Sequence, residues 1–390
     1  MHLRRRDSPP SRRRLRSRAA RWTTRTVVLL LVLGIVAVAG VGWYFSGVAV
    51  AIGSHALDPV ATVEGIAPDG TAVRLTSTDE TARSQVTGLE WAGGYGRLGA
   101  VLERTPTEVT RVFTPLQGRP APGQPVAVDI GSYPGDPSTA VGLPFQELTL
   151  NSTLGDFPAW YVPAAATRGT WAVFVHGHDA SRREALRYLP MLHDHGLPVL
   201  VPTYRNDVGA PRSPDGQEHL GDTEWRDVEP AVRWALDHGA RDVVLLGWSM
   251  GGAVSLQFVD RSPLGHAVRG LVLDSPVLSW NDVLLHQGRL RGLPDPVTGV
   301  AQWFVGRRLG TSLGRFDWVA RAGELRTPLL VVHSDADDYV PDGPSKALAA
   351  ARPDLVTYLD VPGAGHTQGW NVDPVRYRAA VEAWLSSEGM

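Results

Sequence analysis

The sequence predicts an α/β protein, with a doubly wound, mostly parallel sheet preceded by a transmembrane helix and a small β-rich module. Three observations carry this. An uncharged apolar run, Thr26–Ser54, follows an arginine-rich start. From Phe145 onward, short apolar runs alternate with segments of helical period, which is the pattern of buried parallel strands and their crossover helices. Inside that region Val243-Val244-Leu245-Leu246 leads into Gly247-Trp248-Ser249-Met250-Gly251-Gly252, which reads as strand, sharp turn and helix with a serine at the turn.

The first 25 residues carry ten Arg and one Asp, a charge of +9, while the whole chain carries only −2. The body is therefore acidic and the tail basic. A basic tail by itself reads as nucleic-acid contact or disorder. The run beside it favours a membrane instead, so no nucleic-acid partner is expected. Val27–Val41 is almost continuously Val, Leu, Ile, Ala and Gly, and the uncharged run is long enough for a bilayer core of ~30 Å. Trp22 stands at one end and Trp43-Tyr44-Phe45 at the other, where aromatic rings favour the interface. Arginines stay cytoplasmic. The expectation is a cytoplasmic tail over 1–25, a single-pass anchor over 26–52, and everything beyond on the extracytoplasmic side of the cell membrane. A cleaved signal peptide, with Ala37-Val38-Ala39 as its cleavage site, is the competing reading. There is no Cys, which excludes disulfides, thiolate metal sites and a cysteine nucleophile. Lys346 is the only lysine among 38 basic residues, a bias expected of a GC-rich bacterial genome.

Residues 55–145 lack a long helical period. Thr71–Leu75, Glu108–Phe113 and Pro125–Ile130 read as short strands separated by turn signals such as Pro68-Asp69-Gly70. Leu89–Gly96 reads as a turn with one anchoring residue, Trp91.

Residues 146–390 alternate strand and helix. Glu147–Leu150 and Ala159–Val162 predict a leading hairpin, and Trp171–Val175 a buried strand. Ser181–His195 predicts a helix, with Leu186, Leu189 and Leu192 on one side and Gly196 as its stop. Val199–Val201 is a strand. Thr223–His238 is a helix with Trp225, Val228, Val232 and Leu236 on one face, and Pro230 predicts a kink or a late start. Strands follow at Val243–Leu246, Gly270–Leu273, Pro328–Val332 and Val356–Leu359, and Pro374–Leu385 closes as a helix. Residues 278–325 interrupt the pattern as a short helical cap, apolar through Trp280, Leu284, Leu285, Leu290, Leu293, Trp303, Phe304 and Trp318. Half of these are expected to pack on the body and the rest to line an acyl pocket.

Chemistry belongs at the carboxyl ends of such strands. In the turn at Ser249, the glycines Gly247 and Gly251 remove Cβ atoms where strand and helix crowd, so the hydroxyl is presented on a strained backbone. Gly310-Thr311-Ser312-Leu313-Gly314 has the same letters but follows no clean strand, so Ser312 reads as a loop serine. His176-Gly177-His178-Asp179 ends the Trp171–Val175 strand. Its turn can aim the backbone N–H of His178 at the same oxyanion as that of Met250. A His-x-His metal site is the rival reading there, and it lacks further ligands at convincing spacing. His333-Ser334-Asp335-Ala336-Asp337-Asp338-Tyr339-Val340-Pro341 follows the Pro328–Val332 strand and offers a carboxylate. Val361-Pro362-Gly363-Ala364-Gly365-His366 follows the next strand and offers a base.

Ser249, an acid, then His366 is the chain order of the α/β-hydrolase superfamily, which residues ~145–390 resemble through these four motifs. Gly-Trp-Ser-Met-Gly-Gly and His-Ser-Asp-Ala-Asp-Asp-Tyr-Val-Pro resemble the esterase and prolyl-oligopeptidase-like branches. Their acid-loop pattern, His-Gly-x-x-Asp-x-x-Val-Pro, selects Asp337, with Ser334 in place of the glycine; Asp274 is the rival acid, after the Gly270–Leu273 strand. The resemblance implies a Ser249–His366–Asp337 triad, an oxyanion hole from His178 and Met250, an elbow formed by Gly247, Trp248 and Gly251, and neither cofactor nor metal. It implies hydrolysis of a small-molecule or lipid-like carboxylic ester. A serine peptidase is the alternative, and a catalytically silent binding protein on the same fold is a second. The oligomeric state is left open.

Overall fold

The computed structural model describes residues 12–166 and 169–390, with side chains from residue 21. The first eleven residues of the expected basic tail thus lie outside the described residues. Helix α1 (Arg12–Ala49) contains the uncharged run from Thr26 to Ala49. Among the described residues it is the one helix long and apolar enough to cross a membrane, over Arg21–Ala49. Val27 to Val36 expose their side chains, whereas Gly42, Ser46 and Val50 are buried against the rest of the protein.

Six strands follow: β1 (Ala61–Ile66), β2 (Ala72–Thr76), β3 (Thr87–Trp91), β4 (Gly94–Arg104), β5 (Glu108–Gln117) and β6 (Pro125–Asp129). They close into a barrel in the order β1-β2-β5-β4-β3-β6. Closure removes the exposed edges that a short all-β unit would otherwise carry. Val63, Val73, Leu75, Leu89, Trp91, Leu98 and Phe113 fill its interior. Leu89–Gly96 proves to be a hairpin, β3 to β4, with Trp91 anchored in that core as the turn reading expected. Arg111 is the polar exception. It is fully buried and donates to the carbonyls of Gly99, Thr81 and Gln85, and burial pushes its guanidinium down to about 10.

After a one-turn helix α2 (Pro137–Val141), the chain builds an eight-stranded sheet from β7 (Gln146–Ser152), β8 (Gly155–Val162), β9 (Thr170–Val175), β10 (Val199–Pro202), β11 (Asp242–Trp248), β12 (Val268–Asp274), β13 (Leu329–His333) and β14 (Val356–Asp360). The order is β14-β13-β12-β11-β9-β10-β8-β7. Strands β9 to β14 pair in parallel, and β8 and β7 add an antiparallel edge. Alternate residues face opposite layers. Val243 and Leu245 join the core that includes α4 (Trp225–Asp237) and α5 (Met250–Arg261). Val244 and Leu246 join the core under α3 (Leu189–Asp194) and α10 (Pro374–Ser387). Helices α6 (Trp280–Leu290) and α7 (Asp295–Leu309) are inserted between β12 and β13, and α8 (Gly343–Ala351) and α9 (Gly369–Val372) complete the chain order.

Two helix expectations need correction. Ser181–His195 is not one helix but a 3-10 segment, Arg182–Arg187, followed by α3. Pro190 supplies no N–H to the carbonyl a turn earlier, which breaks the ladder at Tyr188. Leu186, in the 3-10 segment, and Leu189 and Leu192, in α3, are all buried, as expected of one apolar side. Conversely, α4 runs unbroken through Pro230, starting two residues later than expected. The carbonyl that Pro230 leaves unpaired belongs to Arg226, which is exposed to water. The region 278–325 behaves as expected in part: Trp280 and Trp318 are buried, while Leu290 and Trp303 are each 60% exposed.

Candidate active site

Strands β9 and β11 are neighbours in the sheet, but the chain leaves them in opposite directions along it. Their carboxyl ends therefore flank the crevice of an open α/β sheet. Ser249 lies at the end of β11 with φ +53° and ψ −118°, a conformation strained for a residue with a Cβ. Close packing enforces the turn. A Cβ on Gly251 would overlap the Val175 carbonyl oxygen, and one on Gly247 would meet the Gly251 carbonyl oxygen at 2.6 Å. Trp248 is buried beneath the turn, donating to the Tyr188 hydroxyl at 2.7 Å.

His366 Nε2 lies 2.8 Å from Ser249 Oγ, and His366 Nδ1 lies 2.9 Å from Asp337 Oδ2. With Nδ1–H donating to the carboxylate, Nε2 is free to accept from the serine hydroxyl. Of the three loop carboxylates, Asp337 is buried while Asp335 and Asp338 are exposed. Asp337 Oδ1 also accepts the N–H groups of Tyr339 and Val340, each at 2.9 Å. Burial disfavours its charge. Hydrogen bonds from His333, His366 and the backbone outweigh burial and hold the carboxyl well below the usual range. Ser334, where the family pattern has glycine, is buried and accepts the Ala336 N–H at 3.1 Å, so its hydroxyl supports the turn.

Asp274, the rival acid, is buried at the end of β12 and makes no hydrogen bond to His366. Its Oδ1 accepts from the Ser275 hydroxyl at 3.3 Å. Burial pushes its carboxyl up to about 6, against the pull of Arg187. Ser275 Oγ in turn accepts the Thr367 N–H at 3.0 Å, tying down the His366 loop. Ser312 lies apart from this cluster. It caps a 3-10 turn by accepting the Gly314 N–H, and borders a surface recess with Asn281, Gln302 and Arg307.

The loop after β9 is held by His176 of the motif together with Asp207, Glu184 and Tyr204, which the sequence reading did not single out. His176 is fully buried, with Nε2 2.8 Å from Asp207 and Nδ1 3.0 Å from the Gly177 carbonyl. Both ring nitrogens face acceptors, an arrangement that favours the doubly protonated ring. Burial opposes this, but Asp207 and the Gly177 carbonyl outweigh it and raise the His176 pKa above its ordinary value. Glu184 accepts the Gly177 N–H at 2.9 Å, and the Tyr204 hydroxyl donates to the Gly177 carbonyl at 2.7 Å. His178 borders the cavities beside Ser249, and Met250 is the first residue of α5, where helical N–H groups lack intrahelical partners. Glu184 had one faint signal, its place three residues after a serine as in a capping box; Ser181 does cap the 3-10 turn, but Glu184 faces the loop. Asp207 had none. Among the described residues no group of three or more His, Asp and Glu is placed to hold a metal ion.

Two spaces meet at Ser249. One is a narrow cavity of ≈ 130 Å³ bordered by Trp280, Val283, Leu284, Val305 and Tyr339, and by Phe45, Val48 and Ala49 of α1. The other is a wider, more polar recess of ≈ 450 Å³ between the barrel exit and the sheet loops, bordered by His55, Asp129, Asp179, Arg183, Glu184 and His366. The barrel borders this second space through Asp129 at the end of β6, and further contacts tie the barrel to the sheet loops. Gln85 is hydrogen-bonded to Gln368, Arg83 pairs with Asp338 at 3.5 Å, and Asn371 donates to the carbonyls of Val86 and Ile130.

Comparison with known proteins agrees with the fold. A family described as a domain of unknown function matches residues 62–129, the barrel. Two uncharacterized proteins from two strains of Mycobacterium tuberculosis are each 31% identical over 218 residues, covering 53% of this chain. The match spans 66% of each relative, just under two thirds of their length. Among solved structures, the Pyrococcus furiosus esterase Pf2001 superposes in two crystal forms with a TM-score of 0.52, at 16% and 17% identity. These cover 65% of this chain and 95% and 96% of the esterase chains. At such identity the likeness is one of fold. The Alpha/beta hydrolase family matches residues 172–380, more than half of the chain and the part that carries nearly all of the parallel strands of the sheet. The chain belongs to the alpha/beta hydrolase family.

Proposed function

We propose that the protein is a membrane-anchored serine hydrolase that cleaves a carboxylic ester through an acyl-enzyme. The observation that carries this reading is the continuous chain of contacts from Ser249 Oγ through His366 to the buried Asp337 carboxylate. His366 takes the hydroxyl proton as Ser249 Oγ adds to the ester carbonyl carbon. The N–H groups of His178 and Met250 stabilise the oxyanion. The carbon–oxygen ester bond then breaks, and the alcohol leaves with the proton from His366. Water then adds to the acyl carbon as His366 takes its proton, the acyl–Ser249 bond breaks, Ser249 Oγ recovers the proton from His366, and the acid departs. Asp337 orients the imidazole and stabilises its cation. The apolar cavity beside Ser249 suits an acyl group, which favours an ester over a peptide. With the wild-type chain reconstituted in vesicles, p-nitrophenyl esters are expected to give the higher kcat/KM when compared with acyl peptide anilides. Faster anilide cleavage would select the peptidase reading, and no turnover of either would select a silent binding protein.

The same reading places the catalytic region outside the cytoplasm, from the charge of +9 ahead of the apolar run. Alkaline phosphatase fused after Met390 is expected to be active. An inactive phosphatase fusion beside a fluorescent GFP fusion would reverse that topology.

A further inference from the structure

The membrane-spanning helix does more than precede the hydrolase region, because its last turns form part of the wall around Ser249. Phe45, Val48 and Ala49 border the narrow cavity that Ser249 and His178 also border. The placement is fixed by packing. A Cβ on Gly42 would meet the Val300 side chain at 2.7 Å, so α1 and α7 touch backbone to side chain there. Trp43 packs edge-on against Phe304 with ring centroids 5.5 Å apart, and the Arg308 guanidinium lies 3.6 Å over the Trp43 ring. Arg308 Nε also donates to the buried Ser46 hydroxyl at 2.8 Å.

This contact sets the depth of the site. The exposed apolar stretch from Thr26 to Val41 is about 24 Å long at the helical rise, shorter than a bilayer core of ~30 Å. At that rise about four more residues, 42–45, complete the core, so the turn that follows, which borders the cavity beside Ser249, lies at the outer interface. A second apolar cleft runs down this junction between Leu31, Ile35 and Val38 on α1 and Val300, Trp303 and Phe304 on α7. Val48, at the cavity wall, is 51% exposed, and Trp303, on the outer flank of α7, is 60% exposed. Apolar surface thus continues from the lipid-facing side of α1 to the nucleophile. On the far side of Ser249 the recess changes character. Asp129, Asp179, Arg183 and Glu184 border it, and it lies under the barrel.

We propose that the substrate is a membrane-resident acyl ester of a polar alcohol, whose acyl chain enters from the bilayer into the slot between α1, α6 and α7 while its polar part occupies the recess under the barrel. This rests on the serine-hydrolase reading above and adds the substrate's class, its route and its direction of binding. α1 becomes a specificity element as well as an anchor. The narrowness of the slot suits a single unbranched chain.

The test uses the full-length protein in phosphatidylcholine vesicles and a long-chain alkyl fluorophosphonate with a diazirine at the end of its chain. The phosphorus reacts with the nucleophilic serine, and light then joins the chain end to whatever lines its path. The expected result is a Ser249 adduct with crosslinks in 43–49 of α1 or on α6 and α7. A Ser249 adduct crosslinked only to 129–131, 178–184 or the barrel would overturn the route while leaving the hydrolase reading intact. Absence of a Ser249 adduct would overturn the hydrolase reading, and this proposal with it. A second measurement needs no crosslink. In Ala49→Trp, the ratio of kcat/KM for a twelve-carbon over a two-carbon p-nitrophenyl ester is expected to fall at least tenfold from the wild-type ratio. A general packing defect would lower both rates together, and an unchanged ratio would contradict the proposal.

Discussion

Ser249→Ala is expected to abolish ester hydrolysis and fluorophosphonate labelling, lowering kcat by about 10⁴–10⁶-fold, as loss of a triad nucleophile does in serine proteases. The fold is expected to survive. Ser249 needs a positive φ, and alanine carries the same backbone penalty as serine, so no new strain enters. What is lost is the hydroxyl that faces His366 Nε2 at 2.8 Å. Ser312→Ala is the matched control, and full activity is expected of it. Its hydroxyl accepts a backbone N–H in a 3-10 cap, and replacing a capping serine with alanine costs about 1 kcal/mol of stability with no consequence for the chemistry. Equal losses in both variants would mean that the nucleophile is misassigned.

Asp337→Asn is expected to fold and to lose turnover by about 10²–10⁴-fold, a barrier increase of about 3–5 kcal/mol. The amide keeps the shape of the carboxylate but lacks its charge. Its NH₂ group can also face His366 Nδ1, favouring the tautomer with the proton on Nε2. That proton would then point at Ser249 and leave it without a base. The carbonyl oxygen of the new amide can still accept the N–H groups of Tyr339 and Val340, so the loop retains those bonds. Asp274→Asn is the comparison that discriminates. Asp274 is fully buried and makes no hydrogen bond to His366, and burial already raises its pKa to about 6. Removing its charge is expected to change kcat less than tenfold at matched thermal stability. If Asp274→Asn carries the large loss and Asp337→Asn does not, the acid belongs to β12 and the loop after β13 is structural.

The inner strands of the large sheet, β9 to β13, were readable because each is a buried parallel strand, and burial on both faces writes an uninterrupted apolar run such as Val243–Leu246. Ser249, His366 and Asp337 were readable for a related reason: each stands just past such a run, where the fold gathers its loops. Choosing Asp337 over its neighbours needed the family pattern, since burial of one carboxylate among three leaves no mark in the sequence. The barrel was only half legible. β1, β3 and β4 mix glycines and charged residues among their apolar ones, as in Gly94-Tyr95-Gly96-Arg97, where the buried Gly96 lies against Phe113, so no clean alternation marks them. His176 and Asp207 lie 31 residues apart and meet only in the fold. The wall that α1 supplies was the least legible feature. An apolar helix facing lipid and one facing a cavity have the same composition, and the contact joins residues more than 250 positions apart.

The central claim is that Ser249 carries the acyl group between two half-reactions. The most direct measurement combines rapid mixing of the wild-type protein with p-nitrophenyl acetate and peptide mapping after an acid quench. The account predicts an initial burst of p-nitrophenol equal in amount to the enzyme, followed by a slower linear phase, with the acetyl group found on Ser249. Linear release from the first turnover, with the acetyl group on another residue or with unlabelled Ser249→Ala still turning over at the wild-type rate, would contradict it.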